Sequence, residues 1–382
     1  MSDEERIINF ELLEETLELS RADVIKLAGL LGLTALGVGR VGSALAATDA
    51  SEALAKKFGW AIAANVPFFE QQMTRHMRKA VKGTGYSIVR QSEDGSAVKA
   101  QQIMSSFITN DFAFMARADA APPKPFEPLA AQAAKNGQFW INHAVQAVGT
   151  AGQNVVFDHA AAGKGIGAAA VRWAKRNGIT KPVVGMLANI PDPEGKKRTD
   201  YAIKALKAAI PAAKLAGQVY SVDQPQTGAT ATANLLQAHP DINIIFTFNT
   251  VSGKGSVQAA DEAGKTNRNE FFIGMADAEE ETLNLVKSEK SICQANWGAY
   301  FEFSAVLMVR DSLKFAKGQK VLPTRRVGGR AFTNAKEVTQ YQKVTANPFA
   351  PAAAAVYKDK SIVAYSPIKL RTGQSVNSIF KA

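Results

Sequence analysis

Residues 58–69 read Phe58-Gly59-Trp60-Ala61-Ile62-Ala63-Ala64-Asn65-Val66-Pro67-Phe68-Phe69. The first six are apolar throughout, the pattern of a parallel strand buried on both faces. Pro67 suits the first position of a helix, where its missing N–H would be unpaired in any case. A strand turning straight into a helix predicts the opening of a βα unit, with Phe68 and Phe69 at the strand's carboxyl end. Open α/β sheets hold their ligands there, so both rings are candidate binding residues. Two core phenylalanines beside a helix start are the plainer alternative.

Outward from this stretch the same grammar repeats. Apolar runs predict strands at 58–64, 86–91, 112–117, 138–142 and 154–158, then at 182–187, 214–220, 243–248, 271–275 and 291–295. Amphipathic segments lie between them, at 68–82, 97–109, 163–177, 195–209, 228–238, 253–264, 279–288 and 299–317. Strands alternating with helices imply parallel sheets covered by helices. Two series imply an α/β protein of two similar, doubly wound parallel-sheet lobes. The expected division is 54–158 plus 292–322 for the first lobe and 159–291 for the second. Residues 323–382, with Pro323, Pro348, Pro351 and Pro367 and no clear helical period, read as a C-terminal tail. Within it the Ala352–Ala355 block reads as a loop.

Composition narrows the chemistry. The 382 residues are 46% hydrophobic and 21% charged, as in a globular protein with room for two cores. The single cysteine, Cys293, excludes an intrachain disulfide framework, and the four histidines lack metal-site spacing. Net charge is +11, but the cations are scattered, clustering only at Lys196-Lys197-Arg198 and Arg325-Arg326. That reads as a solvated basic surface rather than a nucleic-acid face.

The N-terminus reads as an export signal. Leu27–Gly39 is apolar but too short to span a membrane, and Ser43-Ala44-Leu45-Ala46-Ala47 offers an A-x-A cleavage site, placing the mature start near Ala47. Ser20-Arg21-Ala22-Asp23-Val24-Ile25-Lys26 resembles a twin-arginine signal in which Ala22 replaces the second arginine. Residues 1–46 are thus expected to be removed on export to the periplasm.

The strand ends carry a further ordered set: Ala116-Arg117-Ala118-Asp119, Trp140-Ile141-Asn142-His143, Phe157-Asp158-His159 and Lys197-Arg198-Thr199-Asp200-Tyr201. Leu235-Leu236-Gln237-Ala238-His239-Pro240-Asp241-Ile242 follows, then Phe248-Asn249-Thr250, Phe272-Ile273-Gly274-Met275-Ala276-Asp277 and Gln294-Ala295-Asn296. Across roughly residues 56–322 this set resembles the periplasmic sugar-binding proteins of the ribose-binding type. The resemblance implies two lobes joined by a strand hinge, closing over one small ligand in the cleft between them. It also implies delivery to an ABC permease in the inner membrane, with no catalysis and no cofactor. The implied ligand residues are Phe68, Phe69, Asp119, Asn142, His143, His159, Arg198, Asn249, Asp277 and Asn296. His76, outside any strand end, is expected to take no part.

The chemistry agrees. Aromatic rings cover the apolar faces of a sugar, and planar amide, carboxylate and guanidinium groups bond its hydroxyls in pairs. Each residue also has a plain reading: Asn142 and Asn249 as turn residues, Asp119 and Asp277 as helix caps, Arg198 on a solvated helix face, His143 and His159 as structural histidines. Many family members have Asp-Arg where this chain has Asn142-His143, and Asn-Asp where it has Asn249-Thr250. Fewer charges point to a polyol, a cyclitol or a modified sugar.

Two rival readings remain. Repressors of the lac/gal type join a helix-turn-helix to the same fold, and Arg21–Gly29 superficially resembles its first helix. Leu31–Gly37, however, offers only Thr34 to read bases. Gly163-Lys164-Gly165-Ile166-Gly167-Ala168 matches a dinucleotide-binding fingerprint, but it begins beyond the strand end, inside an Ala-rich helical pattern, and no acidic residue closes the next strand.

Overall fold

The computed structural model describes residues 54–64, 69–118, 122–144, 146–149, 151–190, 193–221, 224–374 and 380. The export segment therefore lies outside the described residues, as do Asn65–Phe68 and Asp119.

Thirteen strands are described: β1 (Ala55–Ile62), β2 (Ser87–Ser92), β3 (Phe112–Ala118), β4 (Phe139–Ala144), β5 (Gln153–Phe157), β6 (Val183–Ala188), β7 (Lys214–Tyr220), β8 (Ile244–Thr247), β9 (Phe272–Ala276), β10 (Cys293–Ala299), β11 (Thr324–Val327), β12 (Gly329–Phe332) and β13 (Val363–Ser366). They form two sheets, in the orders β13-β11-β5-β4-β3-β1-β2 and β12-β10-β9-β8-β6-β7. The ten expected strands are β1 to β10, and the pairs among them are parallel. Burial explains why they were legible. Every residue of β3, in the middle of its sheet, is buried, whereas β2 and β7 at the sheet edges are only half-buried.

The chain divides into two compact units. One holds the described residues up to Phe157, then Phe301–Val327 and those from Val363 onward; the other holds Asp158–Tyr300 and Gly328–Ile362. Two expected boundaries differ. Residues 292–322 are expected in the first lobe, but β10 pairs in parallel with β9 (Asn296↔Met275), so the second unit keeps the chain until Tyr300. Residues 323–382 form no separate tail. β11 lies beside β5 (Thr324↔Asn154) and β13 beside β11, while β12 pairs antiparallel with β10.

That segment also holds helices. Ala335–Ala346 buries Val338, Tyr341 and Thr345, a helical spacing diluted by polar neighbours. Asn334 caps it, accepting from Glu337 N at 3.0 Å, while Glu337 accepts from Thr333 N at 2.7 Å. The Ala352–Ala355 block is a helical turn, Pro351–Ala353, running into the short helix Ala354–Lys358.

The glycine motif has a packing role. Gly163 and Gly167 sit inside the helix His159–Arg176, on the face toward the helix Pro193–Ala209. A Cβ at Gly163 would stand 2.5 Å from the carbonyl oxygen of Arg198, and one at Gly167 2.4 Å from that of Ala202. The glycines let two helix backbones meet, which brings Arg198 beside His159.

Candidate functional site

In the second unit three sequence-predicted residues, His159, Arg198 and Asp277, and the Phe248 carbonyl converge. Arg198 rises from the second turn of its helix and is buried. Its Nε donates to His159 Nδ1 at 2.9 Å and its Nη1 to the Phe248 carbonyl at 3.1 Å. Nη1 also lies 2.9 Å from each oxygen of Asp277, with hydrogen-bond geometry only toward Oδ2. The guanidinium sits 4.7 Å from the centre of the Phe248 ring. Because Arg198 can only donate, His159 Nδ1 is an acceptor and the ring is neutral. Burial, then the charges of Arg198 and Lys197, hold its pKa well below the usual histidine range.

Asp277 follows β9 in a backbone conformation that side chains rarely adopt, with φ of +95° and +50° at the next residue, Ala278. Asn296 holds that turn. Its Oδ1 accepts from Ala278 N at 3.0 Å and its Nδ2 donates to Thr282 Oγ1 at 2.7 Å, while Asp277 N donates to the Trp297 carbonyl at 2.8 Å. Asn296 is fully buried, with its amide engaged in that turn. Asn249 caps the helix Thr250–Glu262, accepting from Ser252 N at 3.0 Å and Ser252 Oγ at 2.8 Å. The cap of the helix after β9 is Glu279, not Asp277. Asp277 Oδ1, though ion-paired to Arg198 Nη1, accepts no hydrogen bond, and Arg198 Nη2 donates to no described residue.

In the first unit, Asn142 and His143 end β4. Asn142 is fully buried; its Oδ1 accepts from Arg117 Nη1 at 3.4 Å and its Nδ2 donates to the Gln146 carbonyl at 2.6 Å. The buried Arg117 guanidinium lies 3.6 Å from the centre of the Phe126 ring. His143 Nε2 is 3.0 Å from Ser304 Oγ. Burial, with the Arg325 charge second, lowers its pKa to about 3. Phe68 and Asp119 lie outside the described residues, and so does the side chain of Phe69. His76, expected to take no part in binding, is fully buried on the helix Arg75–Val81.

Some supporting residues were not expected. Arg325, taken with Arg326 as surface charge, is fully buried and ion-paired to Asp311 at 3.2 Å. Ser304, Arg117 and Phe248 were also missed. For Arg117 the signal was present: one cation in the apolar run Phe112–Ala118 must be paired or stacked.

Comparison places this architecture among known proteins. A periplasmic solute-binding protein of an ABC transporter from Actinobacillus succinogenes, solved with D-allose, is 20% identical with a TM-score of 0.67, covering 75% of this chain and 99% of its own. A Mycobacterium smegmatis protein in complex with β-D-fucofuranose is 18% identical with a TM-score of 0.66, covering 81% and 99%. A Bacillus halodurans solute-binding protein with myo-inositol is 13% identical with a TM-score of 0.63, covering 75% and 97%. At these identities the likeness is one of fold. No curated protein matches the chain in sequence. The periplasmic binding protein domain model matches residues 58–317, and the chain belongs to that family.

Proposed function

We propose that this protein captures a small, uncharged sugar or polyol and delivers it to an ABC-type importer in the inner membrane. The observation that carries the reading is the buried Arg198–Asp277 ion pair, in which Asp277 Oδ1 accepts no hydrogen bond. A vicinal diol donates and accepts from adjacent hydroxyls and fits such a couple. The pair neutralises itself, and His143 is neutral, so nothing here calls for a charged ligand. The ligands held by the similar structures, D-allose, β-D-fucofuranose and myo-inositol, share that neutral character. Phe68 and Phe69 are proposed to cover the ligand's apolar face.

Export belongs to the same reading, with cleavage after Ala46; mass spectrometry of protein from its native host should find an N-terminus near Ala47. The binding is tested by thermal shift against D-allose, D-tagatose, myo-inositol and glycerol. A ligand of the folded state raises Tm as its concentration exceeds Kd. A flat response to all four, alongside a rise with amino acids or organic acids, would replace the sugar reading.

A further inference from the structure

His143 carries a second layer of information in its neighbours. Its ring is buried, edge-on to Phe157 with 4.7 Å between centroids and to Trp60 with 6.0 Å. The partner of its Nε2, Ser304 Oγ, has one hydrogen and two lone pairs. Arg325 Nη2 stands 3.4 Å from the same oxygen and 3.3 Å from the Ser304 carbonyl, and a guanidinium can only donate. Among the described residues nothing else bonds Ser304 Oγ. With a lone pair turned to Arg325, the Ser304 hydrogen has one acceptor in reach, His143 Nε2. The ring proton therefore belongs on Nδ1, a buried atom that makes no hydrogen bond.

Arg325 is itself fixed. Asp311 Oδ2 accepts from Arg325 Nη1 at 3.2 Å, from Gln153 Nε2 at 3.1 Å and from the Tyr365 hydroxyl at 3.3 Å. Arg325 and Tyr365 sit on β11 and β13, so the C-terminal segment supplies the far end of the chain of contacts.

We propose that Ser304 and Arg325 are positioning residues that lock His143 as its neutral Nδ1–H tautomer, a hydrogen-bond donor for a hydroxyl or ring oxygen of the ligand. This rests on the sugar reading above for the identity of the acceptor. Where an arginine would present charge and several donors, the locked ring presents one neutral N–H. It suits an uncharged oxygen and gives an anion no compensating charge. Burial and the Arg325 charge both oppose protonation of the ring, in keeping with a donor that stays neutral.

The test is long-range ¹H–¹⁵N correlation spectroscopy on the ligand-free full chain labelled at its four histidines, with His143 assigned by His143→Asn. The expected result is a protonated Nδ1 and an acceptor Nε2, unchanged between pH 8 and pH 5. Ser304→Ala removes only the hydroxyl and should shift population to the Nε2–H form; Ser304→Thr should restore the original pattern. An Nε2–H ring in the wild type, an imidazolium forming near pH 6.5, or an unaltered pattern in Ser304→Ala would overturn the assignment. With D-allose and myo-inositol as probes, Ser304→Ala and His143→Phe should each weaken binding about tenfold, and unchanged affinity would overturn the role toward ligand. If neither probe nor any other sugar binds, the sugar reading falls and the ligand half of the proposal with it, while the spectra still decide the tautomer.

Discussion

Arg198 Nη1 lies 2.9 Å from both carboxylate oxygens of Asp277, in a pair whose side chains are only 7% and 17% exposed. The two residues come from different elements, the second turn of one helix and the turn after β9. Each is held before any ligand arrives: Arg198 by His159 and the Phe248 carbonyl, Asp277 by a strained turn that Asn296 pins. Groups held in this way need no ordering when a ligand meets them.

Asn296→Ala should damage the turn that carries Asp277. It strips the acceptor from Ala278 N and leaves Thr282 without its amide donor, both in a buried place. The expected loss is about 1–3 kcal/mol of stability, read by urea unfolding, together with weaker binding as Asp277 drifts. A variant of wild-type stability and affinity would show that the turn holds itself.

Gly167→Ala should destabilise the second unit, because its methyl group would meet the Ala202 carbonyl. Overpacking against backbone costs about 1–3 kcal/mol, visible as a lower Tm. Gly178→Ala is a poor comparator because its φ is +68°, so Ala168→Ser one position along the helix serves instead. A Tm for Gly167→Ala equal to wild type would contradict the close helix approach.

Glu302 gives the protein a pH-dependent stability of defined sign. Burial pushes its pKa from the ordinary 4.5 up to about 8, with the Arg75 charge opposing. Between these values the unfolded chain has released the proton and the folded chain still holds it, so stability falls as pH rises from 4.5 to 8 and levels off above. Glu302→Gln should flatten that decline in urea titrations at pH 5 and pH 8. An identical pH slope in both proteins would show that the carboxyl ionises freely in the fold. His143, lowered to about 3, acts below pH 6.5 in the opposite sense and is common to both proteins.

The legible part of the fold was the part whose signal is local. Apolar runs such as those of β6, β8 and β9 announce buried parallel strands. The end of β10 was not legible, since a run as buried as Cys293–Ala299 reads the same in either sheet. Strand-end position and residue type singled out Arg198, Asp277 and His159, which the fold brings into contact. Asn249 and Asn296 have the right chemistry for a ligand, and their amide oxygens also serve a cap and a turn. Arg325 was misread because its neutralising partner, Asp311, stands on another element fourteen residues away. A cation doublet looks solvated until the fold brings the carboxylate in.

The central claim, that Arg198 and Asp277 together bind a neutral sugar or polyol, is tested most directly by isothermal titration calorimetry of Arg198→Met and Asp277→Asn. The ligand is whichever of D-allose, D-tagatose, myo-inositol or glycerol the wild type binds most tightly. A hydrogen bond to a charged group in a buried site contributes roughly 1.5–3 kcal/mol, so each variant should bind at least about tenfold more weakly while circular dichroism shows it folded. Folded variants with wild-type affinity, or a wild type that binds none of the four, would contradict the account.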